Sequence, residues 1–363
     1  MKSPATERHV IASIHCGRDH TLALLANGNV FGWGSDGSGR IPTGTPEYCS
    51  TAQAPAAAVE VNVHERLVAI AAGHGVSLGI TAKAQVVAWG ATAAGMGGGL
   101  SSLALATPQP LAGIEGARAI AASEFLYGAI DADRRIFTWG LNAEGALGRP
   151  TTHLNAMPGP VAIMSPAIRL ALGKGFMLAL TQEGRLHAWG SNAAGQLGLG
   201  HLASTATPQP LPLARKIRSI AAGATHAVAV TTEGEVLAWG SNHHGQLGRA
   251  DLAYSSVPVS VRLPERARTV VAGMHFSFAL GQSAQVYAWG WNAHGQLGLD
   301  DSGDRHAATS VPGLHEVQSI AAGETHAVAM TSRGLVGWGN NASGQIGNAD
   351  RRQMRPTLFF PRA

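Results

Sequence analysis

Residues 217–248 read IRSIAAGATHAVAVTTEGEVLAWGSNHHGQLG, and the punctuation of this stretch decides the fold. Ile217 to Gly223 is a short apolar run closed by glycine, and His226 to Val230 follows after a two-residue turn, so both read as strands. Thr231-Thr232-Glu233-Gly234 is a polar tetrapeptide ending in the residue that most readily takes positive φ, as a tight hairpin needs. Glu235 to Gly240 is a third strand, and Ser241 to Gly248 a glycine-punctuated loop. Val257 to Leu263, with Pro258 inside it, supplies a fourth, edge-type strand.

The Trp-Gly pair that closes the third strand recurs at Trp33, Trp89, Trp139, Trp189, Trp239, Trp289 and Trp338, with separations of 56, 50, 50, 50, 50 and 49 residues. Such a period means one supersecondary unit copied seven times, each copy unable to bury its apolar face without its neighbours. Four short antiparallel strands per copy, with no helical periodicity between them, describe a propeller blade. The expectation is an all-β, seven-bladed β-propeller forming a single domain over residues 1–363. Small side chains in Ser219-Ile220-Ala221-Ala222-Gly223 suit the narrow axis, which puts that strand innermost, while each tryptophan fills the wider space between blades. Arg355 to Pro361 is expected to complete the last blade, the alternative being a crossing to the first, because the chain opens directly on an inner-strand run, His9 to Gly17.

Composition agrees. Charged residues are 13%, apolar residues 45%, and glycine reaches 47 of 363, which suits tight turns rather than disorder. The net charge of +4, from 26 basic and 22 acidic residues, is too small an excess to mark a nucleic-acid binder, and no aromatic residues interleave with the basic ones at the blade connections. Neither a run of 18 apolar residues nor a signal-peptide pattern is visible, so no membrane partner is expected. Cys16 and Cys49 are too few to staple a ring of this size, which favours a cytoplasmic setting, with a secreted effector as the alternative compartment.

Trp-Gly-x-Asn-x-x-Gly-Gln-Leu-Gly recurs at Trp189 to Gly198, Trp239 to Gly248 and Trp289 to Gly298, and Trp338 to Gly347 differs only in carrying Ile346 for leucine. Ala-Ala-Gly precedes the second strand at Ala71 to Gly73, Ala221 to Gly223 and Ala321 to Gly323. This pattern resembles the regulator-of-chromosome-condensation repeat family, whose members are seven-bladed propellers. The copies at Trp33 and Trp89 match it least. In the glycine-rich turns, leucine is expected to plug the blade end and glutamine to satisfy backbone groups left unpaired by the bend.

Antiparallel order puts the loops after Ala-Ala-Gly and after Trp-Gly on one face, where the copies vary most. Arg18, Asp19, Glu124, Lys174, His275 and Glu324 fall near the axis, and Glu144, His243, His244, Trp291 and His294 farther out. Trp291 is the one tryptophan outside the repeated position, and in four copies its equivalent is Ser35, Ser191, Ser241 or Asn340; it reads either as a binding anchor or as packing against the next blade. His20, His226 and His326 share a position with Val76, Leu126, Phe176 and Phe276, which makes it a packing position. The insertion at residues 40–60, carrying Glu47 and Tyr48, is a further loop candidate.

No nucleophile elbow, phosphate loop or paired-carboxylate motif is present, and adjacent His243 and His244 make a poor ligand pair for one ion, so catalytic residues, metal and cofactor are all expected to be none. The leading expectation is a monomeric, non-enzymatic module that presents its loop face to a protein partner. The resemblance implies two alternatives: guanine-nucleotide exchange on a Ran-like small GTPase, which requires no acid-base residue, and inhibition of another enzyme by direct binding. Light-sensing relatives carry Gly-Trp-Arg-His-Thr after the inner strand; here Gly223-Ala224-Thr225-His226 lacks the tryptophan.

Overall fold

The structure is a computed structural model and describes residues 10–35, 41, 58–91, 104–151, 153–163, 165–348 and 350–361. Among these residues every sheet is antiparallel, four-stranded and built from four strands consecutive in the chain, and there are seven such sheets. We number them as blades 1 to 7, over residues 11–61, 67–110, 119–161, 167–210, 217–261, 267–310 and 317–361.

Blade 5 shows the pattern. Its strands are Ile217–Ala222, His226–Thr231, Val236–Ser241 and Tyr254–Val261. The fourth strand starts three residues before the expected Val257 and stops short of Leu263. Its ladder breaks register between Ala238 and Gly240, so Ser255 and Tyr254 pair with Gly240 and Ser241 beyond a bulge that holds Pro258. A bulge tolerates a residue with no amide hydrogen to donate.

The first strands of successive blades neighbour one another right round the ring, blade 1 meeting both blade 2 and blade 7, so the Ala-Ala-Gly strands are innermost as expected. Second strands are buried along their length in most blades. All seven repeated tryptophans are buried between blades. Four of them lean on the turn of the preceding blade: the Trp239 indole donates to the Gln196 carbonyl at 2.9 Å, and Trp189, Trp289 and Trp338 donate to Ala146, Gln246 and Gln296 in the same way. A β-carbon on Gly198 would lie 2.9 Å from Trp239 Nε1, which is why that turn ends in glycine. The glycine of Trp-Gly has its own reason. It sits at φ between 100° and 107° in all seven copies, and at Gly240 a β-carbon would lie 2.4 Å from the Thr225 carbonyl oxygen.

The turn chemistry follows the expected division of labour. Leu197, Leu247 and Leu297 are fully buried, and Gln196 Oε1 accepts the Ala194 amide at 2.9 Å. Asn192 adds a second staple, its Oδ1 accepting the Leu197 amide at 3.0 Å while its Nδ2 donates to the His201 and Ala203 carbonyls.

Among the described residues no strand crosses the seam between blades 7 and 1. Arg352–Pro361 pairs with Gly334–Asn340 and completes blade 7, as expected. Side chains do the sealing instead: Phe359 and Phe360 meet Trp33 edge-on, each with ring centroids 5.4 Å away. Thr21 Oγ1 donates to the Gln345 carbonyl at 2.7 Å, and the Glu324 amide reaches the Gly17 carbonyl at 3.3 Å.

The repeated histidines bridge blades. Ser277 Oγ donates to the Gln246 carbonyl and so accepts from His226 Nε2 at 2.8 Å; Thr21 likewise accepts from His326 Nε2 at 3.0 Å, and His20 Nε2 lies 3.1 Å from Ser77 Oγ. Each histidine therefore meets a hydroxyl on the next blade. The four apolar residues at that position, Val76, Leu126, Phe176 and Phe276, share hydrophobic clusters with Tyr127, Met177, Ala227 and Ala327 of the next blade.

Candidate functional site

One face of the ring carries the loops after the first and third strands of every blade. At the axis these loops leave an opening of about 140 Å³ whose rim takes one residue from each blade: Arg18, His74, Glu124, Lys174, Ala224, Met274 and Glu324. Of the two loop residues between the glycine or serine that closes each inner run and the second strand, only the first lines this opening. The second one, such as Phe125, Gly175 or His275, turns outward, so Asp19 and His275 stand one step farther from the axis than expected.

Backbone approach explains why glycine precedes the rim. A β-carbon on Gly17 would lie 2.4 Å from the Gly73 carbonyl oxygen, and one on Gly323 would lie 2.4 Å from the Gly17 oxygen. Blade 3 has Ser123 there, and its hydroxyl donates to the Gly173 carbonyl at 2.9 Å.

Two charged groupings sit on the rim. Arg18, a donor only, donates to His74 Nε2, so the His74 proton is on Nδ1 and points at Glu324 Oε1, 3.2 Å away. Arg18 Nε also lies 3.7 Å from Glu324 Oε2. Burial pushes the Glu324 carboxyl up, but the hydrogen bond from His74 and the charges of Arg18 and Lys174 outweigh it and hold the group below the usual carboxylate range. Across the opening Lys174 Nζ lies 3.3 Å from Glu124 Oε2. His74 completes the first grouping from the same repeat position as Arg18 and Glu324.

Farther out, Trp291 is half-buried. Its indole lies 5.7 Å from the His244 ring, 6.1 Å from His275 and 5.2 Å from His294. His244 belongs to the preceding blade, so the packing runs backward around the ring rather than onto the next blade. Asp304 fixes His244 through a 2.9 Å contact to Nδ1 and accepts the Asn292 amide with its other oxygen. Burial lowers the His275 pKa, and the neighbouring His244 adds to this; burial also lowers that of His294. His243 is exposed beside the cluster. Among the described residues no three histidine, cysteine or carboxylate groups converge as they would around a metal ion. Glu47 and Tyr48 lie outside the described residues.

Glu144, also on this face, stands in the left-handed region at φ 56° and accepts from Ser204 Oγ at 2.6 Å. Between it and blade 4 runs a mainly apolar groove of about 560 Å³, floored by Phe125, Leu126 and Leu141. No motif marks this groove in the sequence, because it is made by what Gly175 and Ser191 leave out.

Residues 95–362 match the family described as RCC1-like domain, and residues 11–40 match the regulator of chromosome condensation (RCC1) repeat. Among curated proteins, a probable E3 ubiquitin-protein ligase of Homo sapiens, HERC6, is 32% identical over 113 residues, which is 31% of this chain and only 11% of the ligase. Among solved structures, Prp20p of Saccharomyces cerevisiae, described with its binding to Gsp1p and histones, superposes with a TM-score of 0.77 at 23% identity, covering 88% of this chain and 82% of its own. Human WBSCR16 gives 0.82 at 21% identity, with 91% and 93% covered. Both likenesses are likenesses of fold.

Proposed function

The chain belongs to the RCC1-like domain family, and from that premise we propose that it is a protein-interaction module whose axial face receives a protein partner. One observation carries this reading: the residues that vary between copies gather on a single face as paired charges around the axis, with a half-buried tryptophan beyond them, while the residues that hold the ring lie beneath. Mixed charge with an aromatic platform is the chemistry of protein recognition. An axial opening of about 140 Å³ is too small to enclose a metabolite, since ligand pockets run to roughly 300 Å³ and above. We take the unit to act as a monomer and a single domain.

Exchange of nucleotide on a Ran-like GTPase is the second reading. The fold shared with Prp20p favours it, and such exchange works by displacing nucleotide rather than by acid-base chemistry.

The test is capture from native lysate with the full chain. Reversing Arg18 and Lys174 to glutamate, or replacing Trp291 with alanine, should abolish recovery of the partner. Reversing Lys83 and Glu65, an ion pair on the hairpin side of the ring, should not. Recovery indifferent to the face variants would remove the reading.

A further inference from the structure

The groove between blades 3 and 4 has a filled counterpart two blades farther round. In blade 6 the Trp291 amide donates to the His275 carbonyl at 2.9 Å, and the indole occupies the space between that loop and His244. One hundred residues earlier the same bond runs from the Ser191 amide to the Gly175 carbonyl at 2.8 Å. The positions matching Trp291, His275 and His244 there are Ser191, Gly175 and Glu144. The loop geometry is kept and the side chains are removed, which leaves the groove of about 560 Å³.

We propose that this groove accepts an aromatic side chain of a protein partner, with a basic residue next to it in the partner's sequence. The ring itself supplies the precedent for the shape, because an indole fits the equivalent space in blade 6. The floor of Phe125, Leu126 and Leu141 gives that ring apolar and edge-to-face contact. Charge selects the neighbour. Lys174 is engaged by Glu124, whereas the exposed Glu144 carboxylate has no cationic partner among the described residues and accepts only the Ser204 hydroxyl. A lysine or arginine flanking the aromatic would meet that carboxylate at the mouth.

This inference rests on the reading of the face as a protein-binding surface, yet it is tested without the natural partner. The probe is an N-acetylated Lys-Trp-Lys tripeptide amide at millimolar concentration, followed by saturation-transfer NMR on the full chain. Saturable transfer to the indole protons is expected, with Glu-Trp-Glu binding several-fold more weakly and Lys-Ala-Lys giving none. Ser191→Trp recreates the blade 6 arrangement and should weaken Lys-Trp-Lys by at least about tenfold with an unchanged Tm. Ala194→His, which copies His294, gives a second occlusion should the first variant lose stability. Glu144→Gln should bring Lys-Trp-Lys down to the level of Glu-Trp-Glu. No transfer to the wild type, equal binding to both occluded variants, or equal binding of Lys-Ala-Lys would overturn the inference. If the peptide binds as expected but lysate capture ignores the Arg18, Lys174 and Trp291 variants, the general reading of the face falls and the groove stands.

Discussion

Exchanging the His226–Ser277 pair for Phe-Ala should relieve the protein of part of its sensitivity to acid. Burial, reinforced by the nearby His275 and only partly opposed by the Phe276 backbone, lowers the His226 pKa from 6.5 to about 3. His226 Nδ1 is buried without a hydrogen-bond partner, so a second proton on the ring would have nothing to donate to. The folded chain therefore keeps the ring neutral while the unfolded chain protonates it below about pH 6.5. Between that pH and about 3 the unfolded state binds the extra proton, so this residue's contribution is fully present above pH 6.5 and is lost as pH falls.

For a drop from pH 7 to pH 5 the loss is about 2 kcal/mol, and by pH 4 about 3 kcal/mol. The ring already contains the replacement: Phe176 packs in one cluster with Ala227, and Phe276 in another with Ala327. In both cases the preceding glycine makes room, a β-carbon on Gly173 falling 1.9 Å from the Phe176 ring just as one on Gly223 falls 2.2 Å from His226. Urea unfolding of wild type and His226→Phe/Ser277→Ala at pH 7, 5 and 4 reads the difference. The variant should lose about 2 kcal/mol less than wild type between pH 7 and pH 5. Parallel curves would mean that His226 is protonated in the fold or titrates elsewhere, and the reasoning would fail.

Other outcomes follow from the same contacts. Phe359→Ala/Phe360→Ala should cost about 4 kcal/mol in urea unfolding, taking each half-buried ring at roughly half the loss of a core phenylalanine; deletion of residues 355–363 should cost at least as much and lower the melting of the whole ring, whereas an unchanged transition would show that the tail closes nothing. Gly323→Ala places a β-carbon 2.4 Å from the Gly17 carbonyl at the seam and should destabilise by about 3 kcal/mol, while Ser123→Gly should stay within about 1 kcal/mol. On the exchange reading, catalytic amounts of the protein should speed release of a fluorescent nucleotide from a Ran-like GTPase, and reversing Arg18 and Lys174 should slow it; intrinsic rates across a panel of GTPases would remove that reading.

The ring was legible because its tryptophans and glycines each have one physical task. An indole must fill the gap to the preceding blade, and the next residue must sit near φ 100°, so both recur at every copy. The start of the fourth strand was not legible, since pairing at Tyr254 depends on a bulge opposite Trp239 and not on local composition. Contacts between blades were harder still. His74 meets residues 56 before it and 250 after it, and Trp291 meets His244 from the previous copy. The histidine bridges left a trace that is visible only when one copy is compared with the next: each of His20, His226 and His326 is matched by Ser77, Ser277 or Thr21 one blade on.

Recognition and closure come closest together at the seam, where Arg18 and Glu324 lie above the bonds that join blades 7 and 1. Their ion pair is partly exposed, with 49% and 32% of the two side chains open to solvent, and such solvent-screened pairs contribute roughly 0–1 kcal/mol. Closure should therefore rest on Thr21, His326, Phe359 and Phe360 beneath them. The swap Arg18→Glu/Glu324→Arg keeps opposite charges adjacent while inverting the field a partner meets. It should leave urea unfolding within about 1 kcal/mol of wild type and still abolish capture of the partner. A swap that lowers stability by several kcal/mol would mean that the rim charges close the ring, and that partner binding at this face and ring integrity cannot be varied independently.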